Sequence, residues 1–268
     1  MGRSPRGALI AAAVFASGAV LVWAIALRTA IGASIDQLTL AGFMGLGGPS
    51  SETLASAVAH LADPGPVAVL TAGIVALALA RRRPLRALTV GAVLVGANVT
   101  TQALKVLTAE PRALVDPQSW PSGHATAAMT VALCVLIAAP PSLRPIAAAL
   151  GAGFALAVAY SVLLLGWHFP SDVIGAFCVA AAWTAAGLAV LWAAERGAEH
   201  RAVRLRAALT PPLLVALGAA AVVGAAAVAR LGTAFEYAEA NTTFVAAAVA
   251  IGAGALSLVA ALAAAVRD

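Results

Sequence analysis

Long apolar runs recur from one end of this chain to the other, and that pattern restricts it to a bundle of membrane-spanning helices. The runs are Ala8 to Leu27, Val67 to Ala80, Ala87 to Leu107, Ala125 to Ala139, Ile146 to Gly166, Val173 to Ala193, Leu213 to Ala229 and Phe244 to Val266. Most approach the roughly 20 residues that an α-helix needs to cross a bilayer. In hydrocarbon every backbone amide must be satisfied within its own segment, so such runs are helices. With 62% hydrophobic and 10% charged residues, the chain has no polar block large enough for a separate soluble domain. The expected fold is all-α, a polytopic transmembrane bundle of about eight spans. The segments at Val67 and Ala125 are short and tilt little or borrow flanking residues.

Residues 28–66 are mixed in character. Gly47-Gly48-Pro49 marks a break, and a short helix capped near Ser50 or Ser51 would place Leu54, Val58 and Leu61 on one face. The formal charge of +5 does not point to nucleic acid, because the arginines sit in short loops and form no basic face with interleaved aromatics. They set topology instead. Arg3, Arg6, Arg81, Arg82, Arg83, Arg86, Arg144, Arg196, Arg201, Arg204, Arg206 and Arg267 fall on one side, which the positive-inside rule assigns to the cytoplasm with both termini. Arg28, Lys105, Arg112 and Arg230 fall on the other. Cys134 and Cys178 lie inside spans as small apolar side chains, so neither a disulfide nor a metal site is expected.

Chemistry-bearing residues crowd between Lys105 and Asp172. Lys105 is the only lysine in the chain, a compact ammonium suited to a phosphate oxygen. It shares a helix face with Asn98, Thr101 and Gln102. Arg112 follows Pro111, and its guanidinium has the geometry to grip two oxygens of one phosphate. For both cations the plainer reading is snorkelling at the end of a span. Pro121-Ser122-Gly123-His124 precedes an apolar run, so its backbone N–H groups are the unpaired donors of a helix N-terminus, an anion site. Ser122 also reads as a simple N-cap. His168 and Asp172 are four apart across Pro170. A carboxylate at that spacing holds one ring nitrogen and leaves the other free to attack phosphorus. The plainer alternative is a structural histidine beside a helix cap. Span parity brings all three clusters to the external face, a set complete for phosphoryl transfer without a metal or other cofactor.

These residues resemble the type 2 phosphatidic acid phosphatase superfamily, which includes lipid phosphate phosphatases and vanadium haloperoxidases. Its first motif, Lys, six residues, Arg, Pro, is met by Lys105 and Arg112, with Ala113 where the Pro is expected. Its second, Pro-Ser-Gly-His, is met in full by residues 121–124. Its third, Ser, Arg, five residues, His, three residues, Asp, is met by Ser161, His168 and Asp172, with Val162 in place of the Arg. The resemblance implies that His168 is the nucleophile and forms a phosphohistidine, that Asp172 orients it, and that His124 protonates the leaving oxygen. Lys105, Arg112, Ser122 and the Gly123 N–H would bind phosphate.

The implied activity is metal-independent hydrolysis of a lipid phosphate or polyprenyl diphosphate at the external face of a bacterial plasma membrane. The alternative is a non-catalytic binder or transporter of such lipids, which the missing Arg at Val162 favours. Arg28 and Arg230 are the external cations available to replace it. Residues 1–206 are expected to form a six-helix phosphatase-like core and residues 207–268 two further helices. The sequence sets no oligomeric state.

Overall fold

A computed structural model describes residues 4–195 and 231–266. Its helices are α1 (Pro5–Arg28), α2 (Ala30–Met44), α3 (Pro49–His60), α4 (Pro64–Ala80), α5 (Pro84–Leu107), α6 (Gly123–Ala138), α7 (Arg144–Leu164), α8 (Pro170–Ala194), α9 (Leu231–Ala240) and α10 (Thr242–Ala265). No strand occurs among the described residues, and the chain is an all-α polytopic bundle. Every expected apolar segment within them is helical, whereas Leu213 to Ala229 and Arg230 lie outside them.

By length and composition, five described helices suffice to cross a membrane: Pro5–Arg28, Pro84–Leu107, Pro141–Leu164, Pro170–Ala194 and Thr242–Ala265. The helices α3 and α4 form a pair bent by 50°, which raises the number to six if they are one span. At 16 residues, α6 is shorter than these, yet it is the most enclosed helix, with Ala125 through Leu133 all buried.

The region expected to be mixed holds two helices. α2 starts at Thr29, whose side chain accepts the Gly32 N–H at 3.0 Å. Its inward face is Gly32, Asp36, Thr39, Leu40 and Phe43. That face has helical spacing, but its polar members interrupt any apolar run. α3 starts at Pro49 after Gly48, rather than being capped by Ser50 or Ser51. Proline at the first helical position loses nothing, since its missing N–H would be unpaired there. Ala55 and Ala59 pack inward, while Leu54 and Leu61 are exposed, the arrangement of an interfacial helix.

The bundle has two chemically distinct ends. At one, Arg81 Nη1 donates to the Ala138 carbonyl at 2.5 Å and Arg86 Nη1 to the Ile137 carbonyl at 3.3 Å. These guanidinium groups satisfy the last carbonyls of α6, where the helix dipole favours positive charge. At the other end lie the C-terminus of α5, the 108–122 loop and the N-termini of α6 and α8. Arg28, at the end of α1, is ion-paired there with Glu110. Further along the chain, α10 packs on α7 and α2. Tyr160 Oη donates to the Ala248 carbonyl at 2.8 Å, Phe43 meets Phe244 edge-on at 4.8 Å, and Ile251, Ala255 and Val259 join the main core.

Small residues set the helix spacing, as membrane helices without a hydrophobic drive between them require. A Cβ on Gly151 of α7 would lie 3.1 Å from Ala132 Cα of α6, whereas Gly153 faces open space. Gly151→Leu is therefore expected to destabilise the detergent-solubilised protein by about 1–3 kcal/mol through overpacking. Gly153→Leu should melt close to the wild type, and equal melting of the two variants would contradict this packing.

Candidate active site

The three motif clusters converge on one end of the bundle, and a backbone bond joins two of them. The Ser122 N–H donates to the Asp172 carbonyl at 3.0 Å, fastening the N-terminus of α6 to that of α8. Ser122 is buried and caps α6, its Oγ accepting the Ala125 N–H at 3.3 Å. Beside it, Thr126 donates to the Ser122 carbonyl at 2.8 Å and pairs with Thr101 of α5 at 3.0 Å. Among the described residues nothing accepts the N–H groups of Gly123 and His124, the first two of α6. Lys105 sits against them: a Cβ on Gly123 would lie 3.8 Å from Lys105 Cε and 3.7 Å from Gln102 Nε2. The ammonium donates to the carbonyls of Gln118 at 2.8 Å and Ser119 at 3.4 Å. A helix N-terminus with open donors beside an ammonium held by neutral carbonyls has the electrostatics of an oxyanion site.

His168 lies in the turn between α7 and α8 and is largely buried. Gly166, with φ of +69°, reverses the chain just before it, and its backbone packs against Met44 of α2, which a Cβ would approach to 3.1 Å. Only glycine takes that conformation without strain. His168 Nδ1 lies 3.5 Å from Asp172 Oδ2, at the limit of hydrogen-bond reach. The same oxygen accepts the Phe169 N–H at 2.8 Å, so the carboxylate also caps α8. The carboxylate makes the cap bond, whereas His168 Nδ1, buried beside it, makes no hydrogen bond among the described residues. The His124 and His168 rings stand 6.4 Å apart between centroids.

Arg112 is placed differently from a free phosphate clamp. Its Nη1 donates to Asp172 Oδ1 and its Nη2 to Asp36 Oδ2, each at 2.6 Å. Its plane stacks 3.9 Å over the Phe169 ring. Asp36 in turn accepts the Ser171 N–H at 3.0 Å and the Ser171 hydroxyl at 2.5 Å. Val162 is fully enclosed in the main core. Arg28 is engaged by Glu110 and stacks on Trp23.

Sequence reasoning missed Asp36, Asp63 and His60. Asp63 Oδ1 bonds His124 Nε2 at 3.0 Å, and Asp63 Oδ2 bonds His60 Nδ1 at 2.9 Å. None of the three belongs to a local motif. For Asp36 the available signal was its place on the 32, 36, 39, 40, 43 face of a helix.

Residues 86–197 match the model of the PAP2 superfamily. That stretch carries the PAP2 superfamily pattern. It contains Lys105, Arg112, Ser122, Gly123, His124, His168 and Asp172, and it leaves out α1 to α4, α9 and α10. Phosphatases are among the members of the PAP2 superfamily, which supports a phosphoric-ester hydrolase. No curated protein and no solved structure matches the chain.

Burial pushes the Asp36 carboxyl up from 3.8 to about 6, against the pull of the Ser171 bonds and the Arg112 guanidinium. Folding thus favours its protonated form. That contribution to stability is complete below pH 3.8 and is lost as the pH rises through about 6. Two units correspond to about 3 kcal/mol. Over this window the wild type should lose up to that amount relative to Asp36→Asn, read from thermal melts of both proteins. Parallel stability curves would count against a raised Asp36.

Proposed function

We propose that the chain is a metal-independent phosphatase of lipid phosphates or polyprenyl diphosphates that works through a phosphohistidine at the external membrane face. The observation that carries this reading is the convergence of Lys105, the open N-terminus of α6, His124, His168 and Asp172 at the end of the bundle remote from Arg81 and Arg86. His168 attacks phosphorus, and Asp172 steadies the imidazolium that forms. The phosphorus–oxygen bond breaks with its electron pair on the leaving oxygen, which takes a proton from His124. Lys105, Ser122 and the Gly123 N–H stabilise the charge on the equatorial oxygens. Water then attacks phosphorus, its proton passes to His124, and the phosphorus–nitrogen bond breaks back to His168.

Arg112 reaches phosphate in this scheme by giving up Asp36 and keeping Asp172. A lipid substrate agrees with the apolar exposed surface of the elements that carry the site, such as Ile31, Ile35 and Leu38 of α2 and Leu114 of the motif loop. The concentration of arginines at the opposite end supports an outward-facing site. A second reading, a non-catalytic binder or transporter of phosphorylated lipid, is favoured by Val162 and by the two carboxylates already on Arg112.

Phosphate release from the detergent-purified chain, across polyprenyl diphosphates, phosphatidate and phosphatidylglycerol phosphate, decides between the two. Turnover should survive EDTA, be abolished in His168→Ala, and leave an acid-labile phosphoryl label on the wild type alone. Binding of these lipids without release of phosphate would establish the binder. Activity lost in EDTA and restored by magnesium would remove the metal-independent mechanism.

A further inference from the structure

Asp63 stands where an aspartate ordinarily caps a helix, at the residue before α4, yet its side chain makes no cap bond. The prolines that follow at alternate positions reduce the donors open to it. An N-cap carboxylate bonds the N–H of the second or third helical residue. Pro64 and Pro66 occupy the first and third positions of α4 and have no N–H. That leaves the Gly65 N–H as the one donor open to a cap, and the carboxylate does not take it. It extends instead across the break between α3 and α4 to His124 Nε2 at 3.0 Å, with its second oxygen on His60 Nδ1 at 2.9 Å. The Trp167 ring lies against both imidazoles, 5.6 Å from His124 and 5.8 Å from His60 between centroids.

We propose that Asp63 is a positioning residue for His124: it fixes the orientation of that ring and, against the effect of burial, favours the acid form needed to protonate the leaving oxygen. The inference rests on the proposed role of His124 as the proton donor. With Nε2–H committed to the carboxylate, Nδ1 is the nitrogen through which a proton passes to and from the reacting oxygens. Four groups face His124 from the elements around it. Burial opposes its protonation most, and His168, in the turn before α8, and Lys105, on α5, act in the same sense. Asp63 is the carboxylate that favours it. His60 draws on the same carboxylate and thereby aims it while sharing its charge. None of this involves contact between Asp63 and substrate.

The test uses the full chain in detergent with a short-chain phosphatidate as substrate. Asp63→Asn is expected to lower kcat about 10- to 100-fold with little change in KM, and to move the alkaline limb of the kcat profile down by about one pH unit. Asp63→Glu should restore part of both. Adding Asp63→Asn to His124→Ala should cost nothing beyond His124→Ala alone, because the carboxylate acts only through that ring. His60→Ala, which leaves the whole carboxylate charge to His124, should move the alkaline limb upward. The ring itself is read separately by NMR titration of isotope-labelled histidine, where His124 should titrate about one unit lower in Asp63→Asn. An unchanged ring titration, or additive losses in the double variant, overturns the proposal. A shifted ring in a chain that releases no phosphate leaves the pair standing and removes only the phosphatase reading.

Discussion

One guanidinium shared by two buried carboxylates holds the functional end of this bundle together. Asp172 has no exposed side-chain surface and Asp36 almost none, and isolated charges at such depth are costly. Arg112 compensates both at 2.6 Å, and the Phe169 and Ser171 N–H groups satisfy further lone pairs. The result ties α2, the 108–122 loop and the start of α8 into one unit. Removal of one member of such a cluster leaves an uncompensated buried charge, typically a loss of about 3–5 kcal/mol. The raised Asp36 follows from burial together with a neighbouring anion that competes for the same cation. The site is therefore anchored by electrostatics that are individually expensive and mutually dependent.

The remaining architecture serves that end. α6 is enclosed along its length, so its N-terminus is fixed by packing, and its far end is closed by Arg81 and Arg86 on the last carbonyls. A helix so restrained can present open N–H groups at one terminus without fraying. Close approach at Gly151 brings α7 alongside it, and the glycine-enabled reversal at Gly166 returns the chain to deliver His168 next to Asp172.

The spans and the three motif clusters were legible because each is local: an apolar run, a Pro-Ser-Gly-His string, a histidine and an aspartate one turn apart. Their gathering at one end followed from parity and arginine placement. What the sequence concealed was partnership across long separations. Arg112 reads as a phosphate clamp in isolation, and only the fold reveals that Asp36, 76 positions away, occupies its second arm. α2 was hidden because its buried face carries an aspartate and a threonine, which break the apolar periodicity that marks helices. His124 gave no sign of Asp63, which lies 61 positions away. Val162 reads correctly as an apolar residue at the end of a span, and its enclosure explains why the position carries no cation.

Gly166 has a broader implication. The nucleophile candidate owes its placement to a turn that rests on Met44, and Arg112 and His124 owe their orientation to Asp36 and Asp63. All three supports lie upstream of residue 86, outside the stretch that carries the superfamily pattern. The pattern therefore travels in this chain with an accessory collar, α2, α3 and the turn into α4, that is fitted to it side chain by side chain. Grafting residues 86–197 into another membrane scaffold would transplant the motifs without their supports. A chimaera would have to keep the collar with its own core, and α10 with both, since Ile251, Ala255 and Val259 belong to that core.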